Sequence, residues 1–61
     1  MIKNDETIKK FDKAMADANW IARENSFGEA IEWTHVQTKN ILTNEDAFDH
    51  WDKHGKTPVP S

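Results

Sequence analysis

The chain has 61 residues, no cysteine and a formal net charge of −3. A chain of this length forms one domain at most and buries only about 60% of the surface of its unfolded form, so its stability is marginal. The absence of cysteine excludes disulfides and thiolate metal sites, which leaves efficient packing or self-association as the stabilising device. The acidic balance argues against a nucleic-acid partner, because a protein that binds the phosphate backbone needs a basic stripe.

The distribution of apolar residues also bounds the location of the protein. No apolar run approaches the roughly 20 residues that cross a membrane, and the segment from Met1 to Glu6 lacks the apolar core of a secretory signal. We therefore expect no membrane partner and a cytoplasmic location.

Three segments have the features of helices. In the first, Asn4 is a suitable N-cap, and apolar residues then recur at steps of three and four. This stripe comprises Ile8, Phe11, Met15, Ala18 and Ala22. In the second, Ser26 and Glu29 have the spacing of a capping box. The stripe that follows comprises Phe27, Ala30, Ile31, Thr34, Thr38, Ile41 and Leu42.

The third predicted helix is shorter and is followed by a tail. Thr43 precedes Asn44, Glu45 and Asp46, a capping signal with carboxylates in the first turn, and Gly55 is a suitable residue for the C-terminal end. Residues 56–61 contain alternating prolines and no stripe to bury, so we expect an extended tail that is dispensable for folding.

The predicted fold is therefore all-α. It is a small three-helix domain at 1–55 with an extended C-terminal tail at 56–61. Two antiparallel helices of about 18 and 15 residues precede the short third one, and the second helix is the predicted dimerisation surface.

Tryptophan placement indicates a partner surface. Trp20 falls off the stripe of the first predicted helix, and Trp33 falls at the margin of the second, one turn from Val36. Large aromatic residues outside a core anchor interfaces. Two alternatives stay open: a core that wraps around the second helix would use Trp33, and Trp20 would fold over Phe48 or Trp51 if the third helix packs across the end of the first. The candidate partner-binding residues are Trp20, Trp33, Val36, Phe48 and Trp51.

Catalytic and metal motifs are weak or missing in the sequence. His50 and His54 share a helical face at the i,i+4 spacing that zinc sites use, but no glutamate lies between them as HExxH requires. No serine or cysteine nucleophile has a recognisable base. We expect no enzyme activity, no cofactor and no functional metal.

The segment Glu29-Ala30-Ile31-Glu32-Trp33 is similar to an E-A-x-x-W element found in a helix of phage proteins that sequester cyclic nucleotides. This resemblance implies a nucleotide-like ligand held between subunits of a helical oligomer, with Trp33 at the interface. In size and composition the chain resembles the small regulators and inhibitors encoded by phages and mobile elements, which bind host machinery.

The leading functional prediction is a small non-enzymatic protein-binding regulator or inhibitor that acts by occupying its partner. That partner is expected to be another protein, such as host machinery, and the chain is expected to be a homo-oligomer. Two alternatives stay open: an oligomeric sponge for a nucleotide-like ligand, and a helix-turn-helix DNA binder built from the second and third helices.

Overall fold

A computed structural model describes residues 5–60 of the chain. Its elements follow the order α-β-β-β-α, so the three strands of one sheet are preceded and followed in sequence by a helix. The elements are α1 (Asp5–Asp17), β1 (Trp20–Glu24), β2 (Ala30–His35), β3 (Ile41–Thr43) and α2 (Asn44–His54). The sheet is antiparallel with β2 in the centre. The buried residues of both helices and of the sheet form one cluster, so α1 and α2 cover the same face of the sheet.

The register of the strands decides which side chains face the helices. Trp20 is paired with His35, while Ala22, Trp33 and Leu42 form one row across the three strands. Because successive residues of a strand point to opposite faces, these residues share a face. Trp20, Trp33 and His35 are buried, which identifies this face as the core side.

Aromatic rings fill the core between the two layers. Phe11 lies at the centre, with its ring centroid 5.7 Å from Trp33, 5.1 Å from Phe48 and 5.6 Å from Trp51. The first two contacts are edge-to-face, the geometry that the ring quadrupoles favour. The buried cluster comprises Phe11, Met15, Trp20, Trp33, Ala47 and Phe48.

The all-α prediction is wrong: the protein is an α+β fold. The first predicted helix ends at Asp17 instead of continuing through Ala22. Asn19 has a φ of 68°, a left-handed conformation that asparagine tolerates better than most residues, and it ends the helical path. Trp20 was off the predicted stripe because it begins a strand.

The second predicted helix does not form either, and its residues build a β-hairpin. Ser26 is not an N-cap. Instead, Oδ1 of Asn25 accepts hydrogen bonds from the backbone amides of Phe27 and Glu29, at 2.9 and 3.0 Å, and Gly28 adopts a φ of 79° in the same loop. Asparagine and glycine are suited to such a turn. The predicted dimerisation surface on the second helix is therefore absent.

The third predicted helix is confirmed as α2. Thr43 is its N-cap and accepts from the amide of Asp46 at 3.1 Å. Gly55 has a φ of 68° and donates its amide to the carbonyl of Trp51, as a glycine C-cap does. Neither helix of the described chain is long and apolar enough to cross a membrane.

The tail after α2 contacts the body of the protein. Pro58 is buried although residues 56–60 form neither helix nor strand, whereas its neighbour Val59 is 80% exposed. Residues 5–55 form an α+β body instead of the helical domain predicted for 1–55, and the predicted tail contains one buried residue, Pro58.

Candidate binding surfaces

The five predicted partner-binding residues lie in different environments. Trp20 and Trp33 are each 3% exposed and Phe48 is 5% exposed, so all three belong to the core. Trp51 is half-buried and packs on Phe48 with ring centroids 5.7 Å apart. Val36 is the one member of this set whose side chain is exposed. The structure thus brings the four aromatic residues together, but around the core.

Trp33 links the centre of the sheet to the start of α2. Its indole Nε1 donates to Oδ1 of Asn44, the first residue of that helix, at 2.7 Å. A buried indole needs such a partner because an unpaired donor loses its hydrogen bond to water without compensation. This hydrogen bond fixes the direction in which α2 leaves β3.

Trp20 lies against a buried histidine at the other end of the sheet. The rings of Trp20 and His35 meet edge to face with centroids 5.0 Å apart. Nδ1 of His35 accepts from the backbone amide of Thr38 at 3.2 Å, which orients the imidazole towards the turn before β3. Nε1 of Trp20 is buried and has no hydrogen-bond partner in the described part of the chain.

The sheet face opposite the helices is uncovered and carries apolar side chains. Ile21, Thr34 and Ile41 are direct neighbours across the three strands. Ile21 and Ile41 are each 62% exposed, and Val36, just beyond β2, is 44% exposed. We name these four residues the open sheet face. Of these four residues only Val36 was among the predicted candidates, although isoleucine and threonine directly next to core-facing positions of a strand are the signal of such a face.

A charged pair borders the open sheet face. Arg23 and Glu32 are neighbours in the next row of the sheet, and their side chains form an ion pair at 3.7 Å. The Arg23 side chain is largely exposed, so this pair adds little to the stability of the monomer. It places one positive and one negative group beside the apolar row.

A cavity of about 220 Å³ opens between α1, α2 and the start of β2, and we name it the interhelix cleft. Its lining combines apolar side chains with two carboxylates. The apolar members are Ile8, Phe11, Ala30 and Phe48, and the carboxylates are Asp12 and Glu29.

Burial raises the pKa of Asp12 above its ordinary value of 3.8, and the nearby carboxylate of Glu24 raises it further. Within residues 5–60, the ion pairs involve neither Asp12 nor Glu24. Glu29 is likewise in none of these ion pairs, so the two carboxylates that line the cleft have no cation in direct contact among the described residues. Sequence reasoning missed this site because residues of α1 and of the loop before β2 meet only in the folded sheet.

The rings of the two histidines of α2 lie with centroids 4.5 Å apart and planes tilted by 45°. Nε2 of His50 is buried without a hydrogen-bond partner among the described residues. Over residues 5–60, no group of three or more histidine, aspartate or glutamate side chains is placed to hold a metal ion. His50 and His54 thus meet as a pair, and no third ligand from the described chain joins them.

The segment with the E-A-x-x-W pattern does not form a helix. Residues Ala30 to Trp33 lie in β2, with Trp33 in the core. The chain matches no protein-family model, no curated protein and no solved structure.

Proposed function

We propose that the protein is a non-enzymatic protein-binding regulator that works as a homodimer and acts by occupying a surface of its target. The observation that supports this proposal is the open sheet face. Two isoleucines that are each 62% exposed, aligned across a sheet, are costly to leave in water. A face of this kind, bordered by polar groups, is typical of an association surface.

The shape of the protein favours a second copy as the occupant. The body measures 30 × 29 × 17 Å, so it is a thin slab made of one helical layer and one sheet. Two slabs stacked through their sheets would be about twice 17 Å thick, close to their other two dimensions. Sheets that pack face to face lie about 10 Å apart, and their inner side chains interdigitate to form a core.

Charge complementarity supports the same arrangement. A dimer with two-fold symmetry presents the same surface twice, so it needs a self-complementary patch. The open sheet face has an apolar row beside a row that contains one arginine and one glutamate, Arg23 and Glu32. A two-fold axis that passes between Arg23 and Glu32 would place each arginine opposite the glutamate of the other copy. The dimer would also provide the stabilisation that a chain of this size without disulfides needs.

The two alternative functions receive less support from the geometry. A helix-turn-helix would need the residues of β2 and β3 to be helical, and they form a hairpin. A nucleotide-like ligand would bring phosphates to the interhelix cleft, where Asp12 and Glu29 repel them. Sheet-to-sheet pairing leaves both helices on the outside, available to a protein target.

Sedimentation equilibrium of single variants tests the proposal. Ile21→Lys and Ile41→Lys place a charge in the proposed interface, and Val59→Lys is the matched control, because Val59 is 80% exposed and lies in the tail. We expect the wild type and the control to be dimers. We expect each isoleucine variant to remain folded and to dissociate at least about thirtyfold more readily, the size of a typical hot-spot effect.

A wild-type mass of 7.1 kDa at every concentration would contradict the dimer. Isoleucine variants as dimeric as the control would show that association uses another surface. Circular dichroism of each variant verifies that a change in mass does not reflect unfolding.

A further inference from the structure

We propose that the interhelix cleft binds an arginine side chain presented by another protein. This inference rests on the proposed function, since it names the chemistry of the target that the regulator would occupy. Its elements are a cavity of about 220 Å³, aromatic rings in the lining and two carboxylates at the same site.

The cleft has the size of one side chain. Pockets for drug-sized molecules run from about 300 to 1,000 Å³, so a cavity of about 220 Å³ is too small for a nucleotide and suits a single long residue. Ile8 and Ala30 line it with aliphatic surface. The aliphatic stem of an arginine packs on such surface while its charged end reaches polar groups.

The charge of the cleft selects a cation. Asp12 and Glu29 both line it, and Glu24 lies close enough to Asp12 to repel its charge. The negative groups at the cleft make no ion pair within residues 5–60. A bound guanidinium would relieve the repulsion between Asp12 and Glu24.

The positive end of α2, which also borders the cleft through Asn44, does not favour an anion there. Thr43 caps the helix, and Glu45 and Asp46 place carboxylates in its first turn. These groups oppose the positive end of the helix dipole.

The carboxylates beside an apolar wall favour a guanidinium over an ammonium. Phe11 and Phe48 are 2% and 5% exposed, so they add apolar surface to the wall of the cleft but no open ring face. A guanidinium binds a carboxylate through two parallel hydrogen bonds and is weakly hydrated, whereas an ammonium is a compact and strongly hydrated charge. We therefore assign arginine instead of lysine to this site.

The loop before β2 holds the second carboxylate in place. Nδ2 of Asn25 donates to Oε1 of Glu29 at 3.2 Å, and the backbone of the two residues is joined by a hydrogen bond of 2.9 Å. Glu29 is thus positioned before any ligand arrives, which lowers the entropy lost on binding. In the same loop, Phe27 is 85% exposed beside the cleft residues Gly28 and Glu29, and it offers the target protein an apolar contact.

Titration with blocked peptides, followed by the amide resonances of labelled protein, tests this proposal. The probes are acetyl-Gly-Arg-Gly-amide, the same peptide with lysine, and the same peptide with citrulline, which keeps the shape of arginine and lacks its charge. We expect saturable shifts at the amides of Asp12, Gly28 and Glu29 with the arginine peptide. We expect weaker binding of the lysine peptide and none of the citrulline peptide.

Two variants and one control locate the binding. Asp12→Asn and Glu29→Gln should each weaken binding of the arginine peptide by about two- to fivefold, the loss of one partly exposed ion pair. Asp17→Asn, the same change on an exposed position of α1, should leave it unchanged. Equal binding of the citrulline peptide, tighter binding of the lysine peptide or equal loss in the control would each overturn the assignment.

The same titration on Ile21→Lys separates this inference from the proposed dimer. A monomeric Ile21→Lys that binds the peptide like wild type supports the cleft independently of the sheet face. A wild-type dimer that shows no saturable shifts at the cleft overturns the inference and leaves the dimer intact.

Discussion

The indole nitrogen of Trp33 and the side-chain oxygen of Asn44 are joined by a hydrogen bond of 2.7 Å that connects the central strand to the first turn of α2. Trp33 also packs edge to face on Phe11 of α1. One side chain in the middle of the sheet therefore fixes both helices above it. A residue that the sequence marked as a possible partner anchor has a central part in the fold.

Asn44→Ala should destabilise the protein because it leaves the buried indole donor of Trp33 unpaired. An unpaired buried donor costs about 1–3 kcal/mol. Urea denaturation measures the loss as a lower midpoint at unchanged slope. Asn44→Asp keeps an accepting oxygen and should retain most of the stability; an equal loss in both variants would mean that the hydrogen bond is not the cause.

The two buried tryptophans should respond differently to replacement by phenylalanine. Trp33→Phe removes a donor that is satisfied and leaves Asn44 without its partner. Trp20→Phe removes a buried donor that has no partner in the described chain, which offsets part of the packing loss. We expect Trp33→Phe to be the more destabilising by about 1 kcal/mol or more in urea denaturation. The reverse order would contradict the hydrogen-bond assignment.

Asp12→Asn should stabilise the protein at neutral pH. The pKa of Asp12 is raised in the folded state, by burial first and by Glu24 second, above its ordinary value of 3.8. Between the ordinary pKa of the unfolded chain and the raised pKa of the folded state, the folded protein therefore binds more protons than the unfolded chain. The free energy of unfolding falls as the pH rises through that window. The variant lacks this loss, so its advantage should be present at pH 7 and vanish below pH 3.8.

Thermal melts at both pH values, with Asp17→Asn as the control, measure this effect. Asp17 is exposed and lies 3.9 Å from Lys13, so its replacement should bring no comparable gain at neutral pH. A wild type that is the more stable protein at pH 7 would show that Asp12 is stabilised as an anion in the fold.

Deleting the tail should lower the melting temperature, contrary to the expectation from its sequence. Pro58 is buried, so truncation after Gly55 removes an apolar contact with the body. Truncation after Pro58 removes the largely exposed Val59 and should have little effect. Circular dichroism melts of the two truncations make the comparison, and equal melting temperatures would show that the contact of Pro58 adds no stability.

The sequence predicts α2 well because its signals are local. Thr43 and Gly55 terminate it through their own side chain and backbone, as expected. The start of α1 was predicted at Asn4, which lies outside the described residues. The buried residues of both helices, including Phe11 and Phe48, lie at the apolar positions that the sequence analysis identified.

The hairpin was missed because its apolar residues fit both periods. Ile31 and Thr34 have the spacing of a helical stripe. Ile31, Trp33 and His35 also have the every-second-residue spacing of a strand, but this alternation was not recognised because His35 is polar. β-branched residues at Ile31, Thr34, Val36, Thr38, Ile41 and Thr43 favour strands. The turns depend on the left-handed backbone conformations of Asn19 and Lys39, which the spacing of apolar residues does not predict. The interhelix cleft could not be predicted without this hairpin.

An isotope-filtered NOE experiment on an equal mixture of labelled and unlabelled protein tests the central claim, that two copies pair through the open sheet face. The methyl groups of Ile21 and Ile41 are the probes, because both are 62% exposed on that face. We predict intermolecular NOEs from these methyl groups to sheet residues of the other copy. A dimer whose intermolecular NOEs come from α1 or α2, with none from Ile21 or Ile41, would contradict the claim.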